Sequence, residues 1–283
     1  MNRYYLLFSF LLSFSTHLFA GNDKNSLGGR SAGMGNASVT FSDGFSVFAN
    51  QAGLARLQTI DAGLFAENRF MLKDLGMYAL AVGIPTKSSG TFGVGVSHFG
   101  NDAYNEQQVS LGYGRLLFKK LSIGAAFEFR NYSLAEQGSK PIFTFGVGLL
   151  YNLNDKLAIG AHIYNPINWQ LTNSDEDIAA SIIKLGASFM PSDRVTIVAE
   201  AEKNIDKAMQ FKAGLEYKLI NKLYLRGGFG TQPSATSFGI GLNLSPIKID
   251  VASSFHPTLG YSPTISISFV GKKKKEEVAT EKL

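Results

Sequence analysis

The sequence predicts an all-β protein: a transmembrane antiparallel β-barrel of about fourteen strands with an N-terminal plug segment. Three observations predict it. Strictly alternating segments of roughly ten residues recur from Gln58 onward, the length of a tilted strand crossing a bilayer. The alternation sorts large aliphatic and aromatic side chains from a second face of Gly, Ala and isolated charges. No later stretch is apolar for the roughly 20 residues a spanning helix needs, so a membrane location requires a closed barrel.

Composition narrows the classes further. Of 283 residues, 45% are hydrophobic and 17% charged, against about 25% charged in soluble domains. There are 30 Gly, and 22 Phe and 11 Tyr stand against one Trp. The net charge is +5, but the basic residues are spread out and the one dense run is Lys272–Lys275, which argues against a nucleic-acid groove. Without cysteine, disulfides, thiolate metal sites and a lipid-modified N-terminal Cys are excluded.

Residues 1–20 read as a signal peptide: Arg3, an apolar run from Tyr4 to Ser15, then Leu18-Phe19-Ala20 before a polar stretch. Residues 21–57 form the plug segment, 58–271 the barrel and 272–283 a charged periplasmic tail. The expected strands are 59–68, 75–84, 90–99, 104–116, 120–132, 141–152, 156–165, 179–190, 193–203, 207–219, 222–230, 235–244, 247–257 and 263–271. Tight turns such as 154–156 and 191–193 alternate with longer links such as PINWQLTNSDED, as in outer-membrane barrels.

In Leu121–Tyr132, Leu121, Ile123, Ala125, Phe127 and Phe129 share one face, and Ser122, Gly124, Ala126, Glu128 and Arg130 the other. A soluble sandwich or solenoid, the alternative, would carry Lys, Glu, Thr and Ser on its wet face. Here that face is small, at Gly93, Gly95, Gly112, Gly114, Gly146, Gly148, Gly239 and Gly241, which suits a lumen filled by something else. Phe127, Phe129, Tyr132, Tyr151, Tyr164, Phe189, Tyr217 and Phe255 are expected to form an interfacial girdle. Glu128, Arg130, Lys184, Glu200, Glu202, Lys212, Glu216 and Arg226 are the candidate lumen charges, expected chiefly to pair with one another, the alternative being a polar path or a hold on the plug. Gly124→Ser, on the lumen face, is expected to be mild.

Ser26–Leu57 fits no strand. Its glycines permit close backbone approach, and Ser42 or Asp43 is expected to cap a short helix ending near Asn50. The stretch GGRSAGMGNASVTFSDGFSVFANQAGLA resembles the N-terminal signature of the PorV/PorQ-like outer-membrane proteins of the Bacteroidetes type IX secretion system and, more distantly, the FadL-like fatty-acid transporter barrels. The match runs through Arg30, Ala32, Gly33, Met34 and Gly35, then Asp43, then Asn50-Gln51-Ala52-Gly53-Leu54, with Gln51 where the family more usually has proline. The resemblance implies a fourteen-stranded barrel with an N-terminal plug and a role in protein secretion or surface attachment. Secreted cargo or secretion-system proteins would then be partners, beside outer-membrane lipid and lipopolysaccharide. A channel for hydrophobic small molecules and a structural surface component are the other readings. His98, His162 and His256 lie on separate expected strands and no HExxH, GxSxG or DxDxDG pattern occurs, so no enzyme activity, cofactor or metal is expected.

Overall fold

The computed structural model describes residues 26–166 and 180–271. The expected signal peptide, the charged tail and most of the PINWQLTNSDED link lie outside the described residues. The fourteen strands are β1 (Asp61–Asn68), β2 (Gly76–Pro85), β3 (Thr91–Gly100), β4 (Tyr104–Phe118), β5 (Leu121–Leu134), β6 (Gly138–Asn152), β7 (Leu157–Tyr164), β8 (Ile182–Ser192), β9 (Val195–Asn204), β10 (Gln210–Ile220), β11 (Leu223–Thr231), β12 (Ser234–Asn243), β13 (Ile247–His256) and β14 (Gly260–Val270). Each pairs antiparallel with its sequence neighbours, and β1 closes on β14 from Asp61↔Val270 to Glu67↔Thr264. Closure leaves no unpaired sheet edge to face hydrocarbon.

The two faces separate as the alternation requires. Leu64, Leu80, Val94, Leu111, Phe127 and Leu149 point outward and are exposed, while Ser110, Glu128, Glu200 and Lys184 point inward and are buried. The oily belt is thus outside and the polar face inside, the inverse of a soluble barrel. Phe127 stacks on Phe143 at 5.7 Å between centroids, within this belt. Phe127→Arg is therefore expected to destabilise by about 2–4 kcal/mol in a refolding titration into lipid vesicles; a cost below about 0.5 kcal/mol would mean that the residue does not face hydrocarbon.

Several expectations are corrected. Tyr164 is not in the girdle: it is buried inside, its hydroxyl oxygen accepting from Thr144 Oγ1 at 2.9 Å and its ring lying 5.4 Å beneath the Arg130 guanidinium. Tyr132 shares the inward parity of Glu128 and Arg130. β6 begins at Gly138 and β14 at Gly260, so both run through a proline, Pro141 and Pro263. Each proline lies where its strand has a single paired neighbour: β7 reaches β6 only at Gly146, and β1 reaches β14 only at Thr264. A missing N–H costs no ladder bond on a side with no partner.

Residues 26–57 lie inside the barrel and supply most of its core. Leu27, Phe45, Val47, Phe48 and Leu54 pack with Phe65, Ala79 and Ala81 of β1 and β2. Met34, Ala37 and Phe41 pack with Val198 of β9. The segment holds a short helix α1 (Gly29–Gly33) and two 3-10 helices, Gly44–Val47 and Gln51–Arg56. Asp43 precedes the first, and its N–H donates to Ser46 Oγ at 3.1 Å. Asn50 does not end that helix but caps the second, its Oδ1 accepting the Ala52 N–H at 3.1 Å.

Candidate functional site

The candidate site is the seat of residues 26–57 in the lumen. The Gly29 N–H donates to Ser266 Oγ of β14 at 3.1 Å, and the Gly35 N–H to Ser237 Oγ of β12 at 2.9 Å. Gly35 itself has φ +68, and a Cβ there would lie within 3 Å of three backbone atoms of β10 and β11, so the position admits only glycine. Gly33 lies against Gly239 and Arg226, and Met34 against Gly214. Further along, the Ser38 and Val39 N–H groups both donate to Glu200 Oε2 of β9 at 2.8 Å.

The Asn50-Gln51-Ala52-Gly53-Leu54 run sits against β3 to β7. Asn50 Nδ2 donates to Val39 O at 2.7 Å and to Leu149 O of β6 at 3.1 Å, joining the segment's two passes to the wall. Gln51 Nε2 donates to Val47 O at 2.9 Å, and its Oε1 lies 3.1 Å from His162 Nε2 of β7. Both side chains are buried, so glutamine supplies a lumen hydrogen bond that a proline could not make. Ala52 is fully buried, Gly53 is pressed onto Phe41 O, and Leu54 lies over Gly93 and Gly112.

The wall glycines explain the small inner face. A Cβ at Gly124 would collide with the Gln51–Ala52 backbone, and one at Gly148 with the Asn50 side chain. Gly124→Ser is therefore not mild: it overpacks a seat made by backbone, which cannot rotate away. We expect a loss of about 1–3 kcal/mol in the same vesicle titration, and a loss within about 0.5 kcal/mol would mean the segment does not rest there.

The charges form three groups. Glu216 of β10 accepts from Arg30 at 3.1 Å (Nε) and 2.7 Å (Nη2) and from Arg226 Nε at 2.7 Å, while Arg226 Nη1 donates to Asp250 Oδ1 at 2.7 Å. Glu202 lies 3.1 Å from Lys184 Nζ and 2.5 Å from Lys212 Nζ, which is also 3.6 Å from Glu200. Glu128 lies 3.6 Å from Arg130 and accepts from Gln108 at 3.1 Å. Mutual pairing is thus only part of their work: Glu200 and Glu216 also bind the inner segment directly.

Beside α1 a cavity of about 240 Å³ is lined by Arg30, Asp43, Asp61, Lys248 and Asp250 among others, at the end of the barrel where the tight turns lie. Burial pushes the Asp43 carboxyl above the usual carboxylate range, against the pull of Arg30 and Lys248. Burial disfavours the Arg30 charge, but Glu216 more than offsets it and holds the group above its ordinary value. Among the described residues no cluster of three or more His, Cys, Asp or Glu side chains could hold a metal ion.

The ion-paired groups that hold the inner segment and its apolar core face different strands. Polar attachments of residues 29–39 run to β9, β10, β12 and β14. Phe45, Val47, Phe48 and Leu54 face the small residues of β1, β2 and β3. Outside these same strands lies an apolar recess of about 550 Å³, lined by Leu64, Ala66, Tyr78, Leu80, Val96 and Ile265 among others.

No protein-family model and no curated sequence matches the chain. Solved structures do. The toluene transporter TodX of Pseudomonas putida aligns with a TM-score of 0.65 at 12% identity, covering 88% of this chain and 99% of that one. The CymD monoaromatic hydrocarbon channel gives 0.65 at 13%, over 89% and 100%. A FadL homologue of Pseudomonas aeruginosa gives 0.62 at 12%, over 88% and 98%. At these identities the likeness shows the fold alone, a closed antiparallel β-barrel of the kind these proteins have.

Proposed function

We propose that the chain carries small hydrophobic molecules across the outer membrane of a Gram-negative bacterium. The observation that supports this reading is the apolar sector of the lumen. Phe45, Val47, Phe48 and Leu54 are backed by glycine and alanine of β1 to β3, and the same strands bear the apolar recess on their outer side. Apart from Asp61 at one end of β1 and Glu67 at the other, a hydrophobic solute moving along this sector would meet apolar groups, and so less of the desolvation penalty that the ion-paired β8–β13 sector would impose. The structural neighbours named for toluene and monoaromatic hydrocarbons support the same class of cargo. The test is uptake of labelled toluene by intact cells with and without the gene. Loss of uptake in the deletion strain, with surface proteins unchanged, is the expected result; unchanged uptake overturns the reading.

A second reading is an accessory role in protein secretion or surface attachment, with partner proteins bound at loops or rim. The motif from Arg30 to Leu54, which resembles that of the PorV/PorQ proteins, favours it, as does the firm attachment of that motif to the wall through Glu200, Glu216 and Leu149. Under this reading the deletion strain loses surface-anchored proteins while hydrocarbon uptake stays the same.

A further inference from the structure

The ring of Phe48 is 2% exposed and rests on Gly95 of β3, where a Cβ would lie 2.5 Å from its Cζ. Val47, Leu54, Ala79 and Ala81 belong to the same buried apolar cluster, so the ring packs in an apolar part of the lumen. Beside it Phe45 meets Phe65 edge-on at 6.4 Å. The attachment of this stretch differs from that of residues 29–39. Among the described residues, the hydrogen bonds of residues 45–48 run to other residues of the inner segment, not to the wall: Ser46 Oγ to Phe41 O, Phe48 N to Phe45 O, Gln51 Nε2 to Val47 O. Only dispersion and exclusion from water hold Phe48 against β3, and a hydrophobic solute supplies both equally well.

We propose that Phe48 is the stopper of the hydrophobic route, and that the site it fills takes a compact hydrophobic molecule the size of one six-membered ring. The proposal rests on the transport reading and adds to it a residue and a size class. The solute takes the place of the ring on Gly95, and residues 45–48 yield as a unit while the ion-paired stretch 30–39 stays on β9, β10 and β12. The glycine at position 95 sets the depth of the site, and the Phe48 side chain sets its width.

The test measures uptake of toluene and of naphthalene by intact cells of a lipopolysaccharide-bearing host that expresses the full chain, as wild type, Phe48→Ala, Phe48→Trp or Gly95→Ala. Wild type is expected to favour toluene. Phe48→Ala widens the site and raises naphthalene uptake several-fold; Phe48→Trp lowers uptake of both. Gly95→Ala places a methyl where the ring now sits, makes the site shallower and lowers naphthalene uptake more than toluene uptake, so the proposal does not depend on Phe48→Ala folding. Retained heat-modifiable migration of the barrel in unboiled gel samples certifies each variant. Folded Phe48 and Gly95 variants whose toluene-to-naphthalene ratio equals that of wild type overturn the proposal while leaving transport intact. Wild-type uptake no higher than in cells lacking the chain overturns the transport reading and the proposal together.

Discussion

Glu216→Ala is expected to lower the stability of the barrel by about 3–5 kcal/mol, the cost of leaving buried charge without its partner. The carboxylate holds three donor contacts, two from Arg30 and one from Arg226. Arg226 is buried and keeps Asp250 at 2.7 Å, so part of its charge remains balanced. Among the described residues Arg30 has no second carboxylate within ion-pair distance, but its side chain is 33% exposed, so water recovers some of the loss. Most of the cost therefore falls on Arg226 and on the seat of α1. Urea unfolding in lipid vesicles reads it as a lower midpoint at unchanged slope. Glu216→Gln keeps an acceptor of the same shape and is expected to lose less. A change within about 0.5 kcal/mol for Glu216→Ala would show that Arg30 is not held there. A cycle with Arg30→Ala separates the two arginines, since residues in one ion-pair network couple by about 0.5–3 kcal/mol.

The strands were legible because the side-chain period is 2 and the two faces differ in kind. A register slip of one residue would put Glu128, Glu200 and Lys212 into lipid, so the pattern admits a single inward face. The ends were less legible at Pro141 and Pro263, where the expected strands begin and the observed ones start three residues earlier with a partner on one side. Tyr164 was misplaced because tyrosine suits both a girdle and a lumen. Its parity with His162 and Gly160 on β7, opposite Ile159 and Ile163, carried the answer. The course of residues 26–57 left little trace in the sequence. Its fit depends on which wall positions lack a Cβ, as at Gly124, Gly148 and Gly214, and on backbone N–H groups, which no side-chain pattern reports. The Gln51–His162 contact was missed in the same way, although a glutamine in place of the usual proline and a lone inward histidine were both visible.

Glu200→Ala is expected to cost a similar amount, about 3–5 kcal/mol, for a different reason. Oε2 accepts the Ser38 and Val39 N–H groups, and both residues are buried. Removing the acceptor strands two backbone donors in the lumen, each at a desolvation cost of about 1–3 kcal/mol. Lys212 loses Glu200 at 3.6 Å but keeps Glu202 at 2.5 Å, so the ion pair contributes the smaller share. Glu200→Gln retains an acceptor oxygen for the two N–H groups and is expected to be the milder change. Hydrogen exchange tells the two contributions apart: in Glu200→Ala the amides of Ser38 and Val39 exchange faster while those of β9 and β10 stay protected, because the segment opens locally and the barrel does not. Unchanged protection at residues 38 and 39 would mean that another acceptor satisfies them and that Glu200 does not hold the segment. The double variant Glu200→Ala with Glu216→Ala then asks whether residues 30–39 are held by separate attachments. Independent attachments add within about 0.5 kcal/mol, and a shortfall larger than that means the segment leaves the wall as one piece once either carboxylate is gone.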